Sequence, residues 1–369
     1  MSVTEAPIRF PCKGCGGQMI FDIDCQQLKC TYCGSITPIE QSEDHAEPIE
    51  YELDFMDERN ESLKDWGTEQ QVILCENCGA QMLLPLHQTA AMCAFCGSPK
   101  VLSQGDDNSI RPESLIPFHI SKDKANELFL KWKKKKKFVP NAFKKQQTLS
   151  LVTGIYVPFW TFDAQTDSDY TAEVGVHHYR TETRTRYVDG KEETYTEQVQ
   201  YTIWHWTSGS NEHFFDDILI PASMQHDHEM IDKFSDFNLK DLSLYKPEYL
   251  SGFIAERYNV PLRKGWDDAV SRINAQLDQD IRSKIGGDEI RSLNINTTYS
   301  QKTYKHILLP LWNASYMYKD KTYRYMVNGE TGTISGKVPR SAWKITFFCL
   351  FCLVTLFGVI GYIYEQANA

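Results

Sequence analysis

Four C-x-x-C pairs in the first hundred residues constrain the fold of this chain more than any other feature. Cys12/Cys15 is followed by Cys30/Cys33, and Cys75/Cys78 by Cys93/Cys96, with fourteen residues between the pairs in both cases. Adding 63 carries each cysteine of the first set onto the second, and likewise Gly16 onto Gly79, Gln18 onto Gln81, Met19 onto Met82, Gly34 onto Gly97 and Ser35 onto Ser98. The segment is an internal repeat. Its first residues carry no apolar run of the kind that directs export, so a reducing compartment is expected, where such pairs indicate metal rather than disulfides.

Zinc takes four soft ligands in a tetrahedron, and each C-x-x-C-G turn presents two thiolates on one side. The glycines after the second thiolate, Gly16, Gly34, Gly79 and Gly97, supply a positive φ. All ligand positions are cysteine, so two structural zinc ions are expected and no position is open to water. A redox pair of the thioredoxin type does not explain why the pairs arrive in twos at fixed spacing. Between the knuckles, "QMIFDI" and "AQMLLPL" alternate as hairpin strands do. Segments this short bury too little core to fold alone, and zinc binding, worth about 10–16 kcal/mol in finger peptides, would stabilise them. Cys25 corresponds to Gln88 in the repeat and reads as a packed thiol.

The 369 residues leave room for two or three domains, and a mean hydropathy of -0.44 confines any lipid-embedded part to a short segment. The net charge is -10, and Glu40 to Asp65 alone holds eleven acidic residues against Arg59 and Lys64. Such a balance argues against nucleic acid as a partner, since phosphate binding needs clustered Lys and Arg.

From Ile345 to Tyr364 run twenty residues without a charge. At 1.5 Å per residue they span about 30 Å, the thickness of a bilayer's hydrocarbon layer. Trp343, Tyr362 and Tyr364 stand where interfacial aromatics belong. Lys337, Arg340 and Lys344 precede the span and only Glu365 follows it, so the expected arrangement is single-pass in the cell membrane with the N-terminal bulk cytoplasmic.

Between these ends, "SKDKANELFLKWKKKKKFVP" predicts a helix capped by Ser121, with Ala125, Leu128, Phe129 and Trp132 on one face and Pro140 beyond its end. Lys133 to Lys137 read as a solvated helix end favoured by the dipole, or as a contact for anionic headgroups. Alternating strands follow, with a hairpin turn at Asp189-Gly190. A second helix places Trp266, Ala269, Val270, Ile273, Leu277 and Ile281 on one face and stops at Gly286-Gly287. Strands then resume, with turns near Asp320, at Asn328-Gly329 and at Thr331-Gly332.

The expected class is therefore α+β. The divisions are zinc ribbon 8–40, acidic linker 41–70, zinc ribbon 71–103, basic helical segment 112–148, α+β domain 149–340 and membrane helix 343–364. His177-His178, His205, His226 and His228 are the histidine candidates for chemistry, but no nucleophile elbow, H-E-x-x-H or paired carboxylate motif accompanies them. "GTISGKV" lacks the first glycine of a phosphate loop, at Thr331, and has Val338 where Ser or Thr is needed. The expectation is a non-catalytic protein.

The cysteine segments resemble zinc ribbons of the transcription factor B kind. With "GIYVPFWTFDA", "YKPEYLSGFIAERYNVPLRKGWDDA", "LLPLWNASYMYKDKTYRYMVNGETGTISG" and the apolar tail, nearly the whole chain resembles bacterial membrane proteins that carry such a ribbon. Members are often named primosomal-helicase-like, although the ATP-binding motif of that helicase is absent here. Some are encoded beside phage-shock protein A and flotillin-type proteins, and the resemblance implies an adaptor that places envelope-stress machinery at the membrane. A membrane-associated nucleic-acid binder, reading through its ribbons, is the alternative.

Overall fold

A computed structural model describes residues 10–17, 19–40, 50–53, 70–75, 79–85, 101–104, 110, 112–145, 152–188, 191–224, 228–234, 236–256, 258–319 and 321–368. The first knuckle segment folds as three short antiparallel strands, β1 (Met19–Asp22), β2 (Gln27–Cys30) and β3 (Ile36–Thr37). Next come β4 (Tyr51–Glu52), β5 (Gln70–Cys75), β6 (Gln81–Pro85), β7 (Val101–Gln104) and β8 (Ser114–Leu115). All five belong to one large sheet. Helices α1 (Lys122–Lys135) and α2 (Asn141–Lys145) lead into β9 (Thr153–Val188) and β10 (Lys191–Pro221). After α3 (His228–Ile231), β11 (Ser243–Leu244), α4 (Pro247–Leu250) and β12 (Ile254–Ala255), the long helix α5 (Leu262–Ile285) precedes β13 (Glu289–Tyr318). The chain closes with β14 (Lys321–Asn328), β15 (Ile334–Gly336) and α6 (Ala342–Asn368). The class is α+β.

Strand β9 is the spine. Its 36 residues are rich in Tyr, Thr, Val and Phe, which suit an extended backbone. Strand β13 pairs along one edge from Thr153 to Gly175, while β12 and then β10 pair along the other. Burial follows the number of covered faces. Residues 154–164 are buried on both, with Tyr156 among Leu308, Trp312 and Val327, and Ile155, Val157 and Phe159 among Ile307, Leu309 and Leu311. Further along, every second residue is buried, because α5 covers one face through Ala269, Ile273, Leu277 and Ile281. Beyond Gly175, β13 has ended and only the β9–β10 hairpin continues. Its remaining thirteen residues per strand, at about 3.3 Å each, form an exposed arm about 40 Å long.

A pairing this long is held by bulges. Asp217 in β10 and Gln301 in β13 take positive φ values of 52° and 49° at breaks in register on either side of β9. Asp163, buried between them on β9, accepts the Asp217 N–H at 2.6 Å and the Thr303 hydroxyl at 2.6 Å. Lys305 supplies the compensating charge, 2.7 Å from Asp217 and 3.0 Å from Glu50. Glu50 and β4 lie within the acidic stretch, whose described residues are therefore part of the sheet, Tyr51 opposite Tyr304.

Ser121 caps α1, accepting the Lys124 N–H at 3.4 Å, and Gly286 ends α5 at φ 68°. The lysine run is not uniformly solvated. Lys133 is 3% exposed and lies 4.8 Å from the Phe143 ring centre, and Lys136 lies 4.4 Å above Trp132. The Asp189-Gly190 turn lies outside the described residues, but Val188 pairs with Lys191 as a two-residue loop requires.

Beyond β14, Glu330 accepts the Asn238 N–H and sits near Asp236 and Asp241; burial first, then these carboxylates, raises it to about 7. The folded state then holds this proton more tightly than the unfolded chain, so stability falls as pH rises from about 4.5 to about 7. Glu330→Gln should match the parent protein in thermal midpoint at pH 5 and exceed it at pH 8, measured by differential scanning calorimetry.

Candidate metal centre

The hairpin's own register assembles the first site. Strand β1 leaves the Cys12–Cys15 turn, β2 enters the Cys30–Cys33 turn, and Met19 pairs with Cys30 between them. The two turns are built alike: Gly16 N–H bonds Cys12 O at 2.8 Å, and Gly34 N–H bonds Cys30 O at 3.1 Å. Their glycines take φ values of 72° and 73°, a conformation costly for any other residue. All four sulfurs lie within 4.8 Å of one another, with Cys12–Cys33 at 3.5 Å and Cys15–Cys30 at 3.4 Å. A tetrahedral ion with metal–sulfur bonds of about 2.3 Å spaces its ligands about 3.8 Å apart. The donor set fits one metal ion.

Local hydrogen bonds favour the thiolate at Cys12 and Cys33, whereas at Cys15 the Gly17 N–H is outweighed by the Cys30 and Cys33 thiols and the group is pushed up to about 12. Peptide N–H groups of Cys15 and Gly14 hold Cys12 below the usual thiol range. The Ser35 hydroxyl, 3.1 Å from Cys33 Sγ, acts with its own N–H to bring that thiol down to about 6. Cys12 and Cys30 are buried while Cys15 and Cys33 face solvent. Cys25 stands apart in the β1–β2 turn, its N–H bonded to Asp22.

Of the second set, Cys75 ends β5, and Cys78, Cys93 and Cys96 lie outside the described residues, as does Gly97. What is described repeats the first geometry. Gly79 has φ 71°, matching Gly16. Met82 pairs with Ile73 as Met19, 63 residues earlier, bonds to Phe10. The β5–β6 hairpin joins the main sheet where Leu83 pairs with Ala255.

The first ribbon is fastened to the body. Phe21 is 3% exposed and meets Tyr249 edge-on at 5.3 Å, beside Phe253 and Phe118. Its N–H bonds Ser251 O at 3.0 Å, the Ser251 hydroxyl bonds Met19 O at 2.9 Å, and Gln26 reaches Phe118 O at 2.8 Å. No local pattern in the sequence marks this docking, because its partners lie about a hundred and about two hundred and thirty residues away.

Of the histidine candidates, those with described side chains, His177, His178 and His205, do not converge. His177 bonds Glu289 at 2.7 Å on the sheet, His178 stacks on Tyr201, His205 is exposed on β10, and His226 lies outside the described residues. His228 begins α3. Asp163, Asp216 and Asp217 also cluster, but Lys305 already sits against Asp217. "GTISGKV" spans a turn and strand β15 instead of a loop opening a helix.

At the other end, Ala342–Gly361 within α6 is long and apolar enough to cross a membrane, and none of that stretch is buried in the protein. Cys349 and Cys352 lie on it, exposed. The helix is pinned at its start: Ser341 N–H bonds Phe138 O at 2.7 Å, Lys344 reaches Val139 O at 2.9 Å and Asn141 at 2.7 Å, and Phe348 meets Phe138 at 5.1 Å.

Because Phe21 belongs to both ribbon and body, two substitutions separate metal binding from docking. Cys30→Ser should lower bound metal by one ion per chain and also lower the body's thermal midpoint. Phe21→Ala should keep the metal and destabilise by about 3–5 kcal/mol. Elemental analysis beside chemical denaturation reads both.

No protein-family profile matches the chain. It is 28% identical over 350 residues to the uncharacterized protein YdjG of Bacillus subtilis (strain 168), covering 92% of each chain. No solved structure matches it.

Proposed function

We propose that the protein is a non-catalytic scaffold, tethered to the cytoplasmic face of the cell membrane by α6, which brings protein partners to that surface. The observation that carries this reading is the bare apolar helix, fixed to the body by a hydrogen-bonded collar at residues 138–141 and 341–344. Beyond its first turns nothing in the described body covers α6, and an exposed helix of this hydropathy is stable only in lipid or against an apolar partner. Lys337, Arg340 and Lys344 before the span orient the bulk toward the cytoplasm.

Zinc is the metal this reading assigns to both cysteine sets, since four thiolates with no open position suit a structural zinc. The ions stabilise surfaces for partners and perform no chemistry. The family resemblance supplies candidate partners, the flotillin-type and phage-shock-type proteins. The nucleic-acid alternative has less to support it. On the first ribbon Lys29 is tied to Asp22 at 3.0 Å, and a group of five cations lies at the foot of α6 instead.

Cell fractionation tests the tether, and affinity capture of the full chain from detergent tests the scaffold. The protein is expected in the membrane fraction, released by detergent and not by carbonate, with a specific envelope-stress protein enriched at least about tenfold over a variant lacking 342–369. Recovery in the soluble fraction alone removes the tether. A salt-sensitive gel shift by the full chain would restore the nucleic-acid reading.

A further inference from the structure

Where α6 meets the body, a cavity of about 780 Å³ opens beside the first turns of the helix. Its walls carry five cations from three separate segments: Lys136 and Lys137 after α1, Lys233 after α3, and Lys337 and Arg340 on the strap between β15 and α6. The described lining contains no Asp or Glu. Ile345 and Phe348 of α6 form its apolar side, together with Phe138, Met230 and Val338.

The cations are held apart on rigid backbone. Lys337 N–H bonds Arg324 O at 3.2 Å, and the Tyr316 hydroxyl bonds Lys337 O at 2.7 Å, which fixes the strap against β13 and β14. Phe138 adopts φ 57° so that its carbonyl receives Ser341 while its ring packs on Phe348. Lys344 is turned away, spent on Val139 O and Asn141. Lys136, Lys137 and Arg340 bring like charge around one opening, which costs Coulomb energy, and an anion in their midst relieves it. With α6 in a bilayer, the polar wall lies at headgroup level and the apolar wall begins at the acyl boundary.

We infer that this cavity seats the headgroup phosphate of one anionic phospholipid, its acyl chains running down Ile345 and Phe348. The inference rests on reading α6 as membrane-spanning and adds a lipid specificity to that tether. A free inorganic phosphate offers the same charge without the apolar part, so the committed occupant is the lipid.

The test uses the full chain reconstituted into phosphatidylcholine vesicles with phosphatidylglycerol as the minority lipid. The chain is re-extracted in mild detergent, and retained lipid is counted by native mass spectrometry. One phosphatidylglycerol per chain is expected, in preference to phosphatidylcholine and undisplaced by millimolar inorganic phosphate. Lys137→Gln with Arg340→Gln should lower that retention about ten- to thirtyfold. Lys134→Gln with Lys135→Gln, cations of the same run outside the cavity, should leave it unchanged. Equal retention of both lipids, equal loss in both double variants, or displacement by phosphate overturns the inference while co-flotation with vesicles still upholds the tether. A chain that does not co-float at all removes both.

Discussion

The backbone of β9 presents peptide donors and acceptors along two edges for 36 residues, and each needs a partner wherever water is excluded. Almost every other element follows from meeting that requirement. Along the buried stretch β13 and β12 satisfy the two edges, and β10 takes over from Phe159 onward. Strands of this length accumulate twist, and the bulges at Asp217, Ser292 and Gln301 bend the strands and concentrate the twist where they fall. Asp163 is the device that couples two of them across β9, accepting from both neighbours at once. A buried carboxylate in that role needs a cation, which explains why Lys305 is itself nearly buried and why the chain returns Glu50 to the same place.

The metal site connects to the same sheet through one side chain. A three-stranded ribbon of some thirty residues has no core of its own beyond Met19, Leu28 and the buried thiols. Placing Phe21 among Phe118, Tyr249 and Phe253 extends the body's aromatic cluster into the ribbon and contributes about 2–3 kcal/mol of burial. Folding of the ribbon and docking are then linked, since the β1–β2 hairpin presents Phe21 inward only while the two thiol turns at its open end are closed. The second repeat reaches the body by another route, through backbone pairing of Leu83 with Ala255. Duplicated modules have thus been anchored by different physics, one by an aromatic plug and one by strand addition.

Local signals in the sequence corresponded to local structure. The Ser121 cap, the α5 face from Ala269 to Ile281, the two-residue loop after Val188 and the first four-thiol site all follow from spacing, because each involves residues within one turn, one helix or one hairpin. The length of the strands and their order were not legible. Alternation in 166–174 and the apolar run in 154–160 look like two different strands until the covering elements are known. Lys133 looked like its neighbours in a basic run, yet its burial between Phe129 and Phe143 depends on α2 folding back over it. Tyr51 and Glu50, in a stretch dominated by charge, became part of the sheet because Tyr304 and Lys305 offered them partners some 250 residues away. Periodicity reports which face is covered; it carries no address for the cover.

The join between body and α6 decides how far the two can move against each other. A helix connected by a flexible strap would leave the body free to tumble above the bilayer. Here the strap is short, and both sides of the join are bonded: Ser341 and Lys344 to the turn after α1, Phe348 to Phe138, and Lys337 to the β14 backbone. The non-glycine residue at φ 57°, Phe138, is where that geometry concentrates strain, and such strain persists only when surrounding contacts over-determine it. A rigid join fixes the direction of the sheet relative to α6, and with it the direction of the 40 Å arm of β9 and β10, estimated from about 3.3 Å per residue. The arm's exposed rings, Tyr179, Tyr187 and Tyr201 among them, are therefore held at a set orientation to α6. For the scaffold proposed above, that fixed geometry would be the useful property: it would determine where a partner bound to the arm stands relative to the surface that α6 enters.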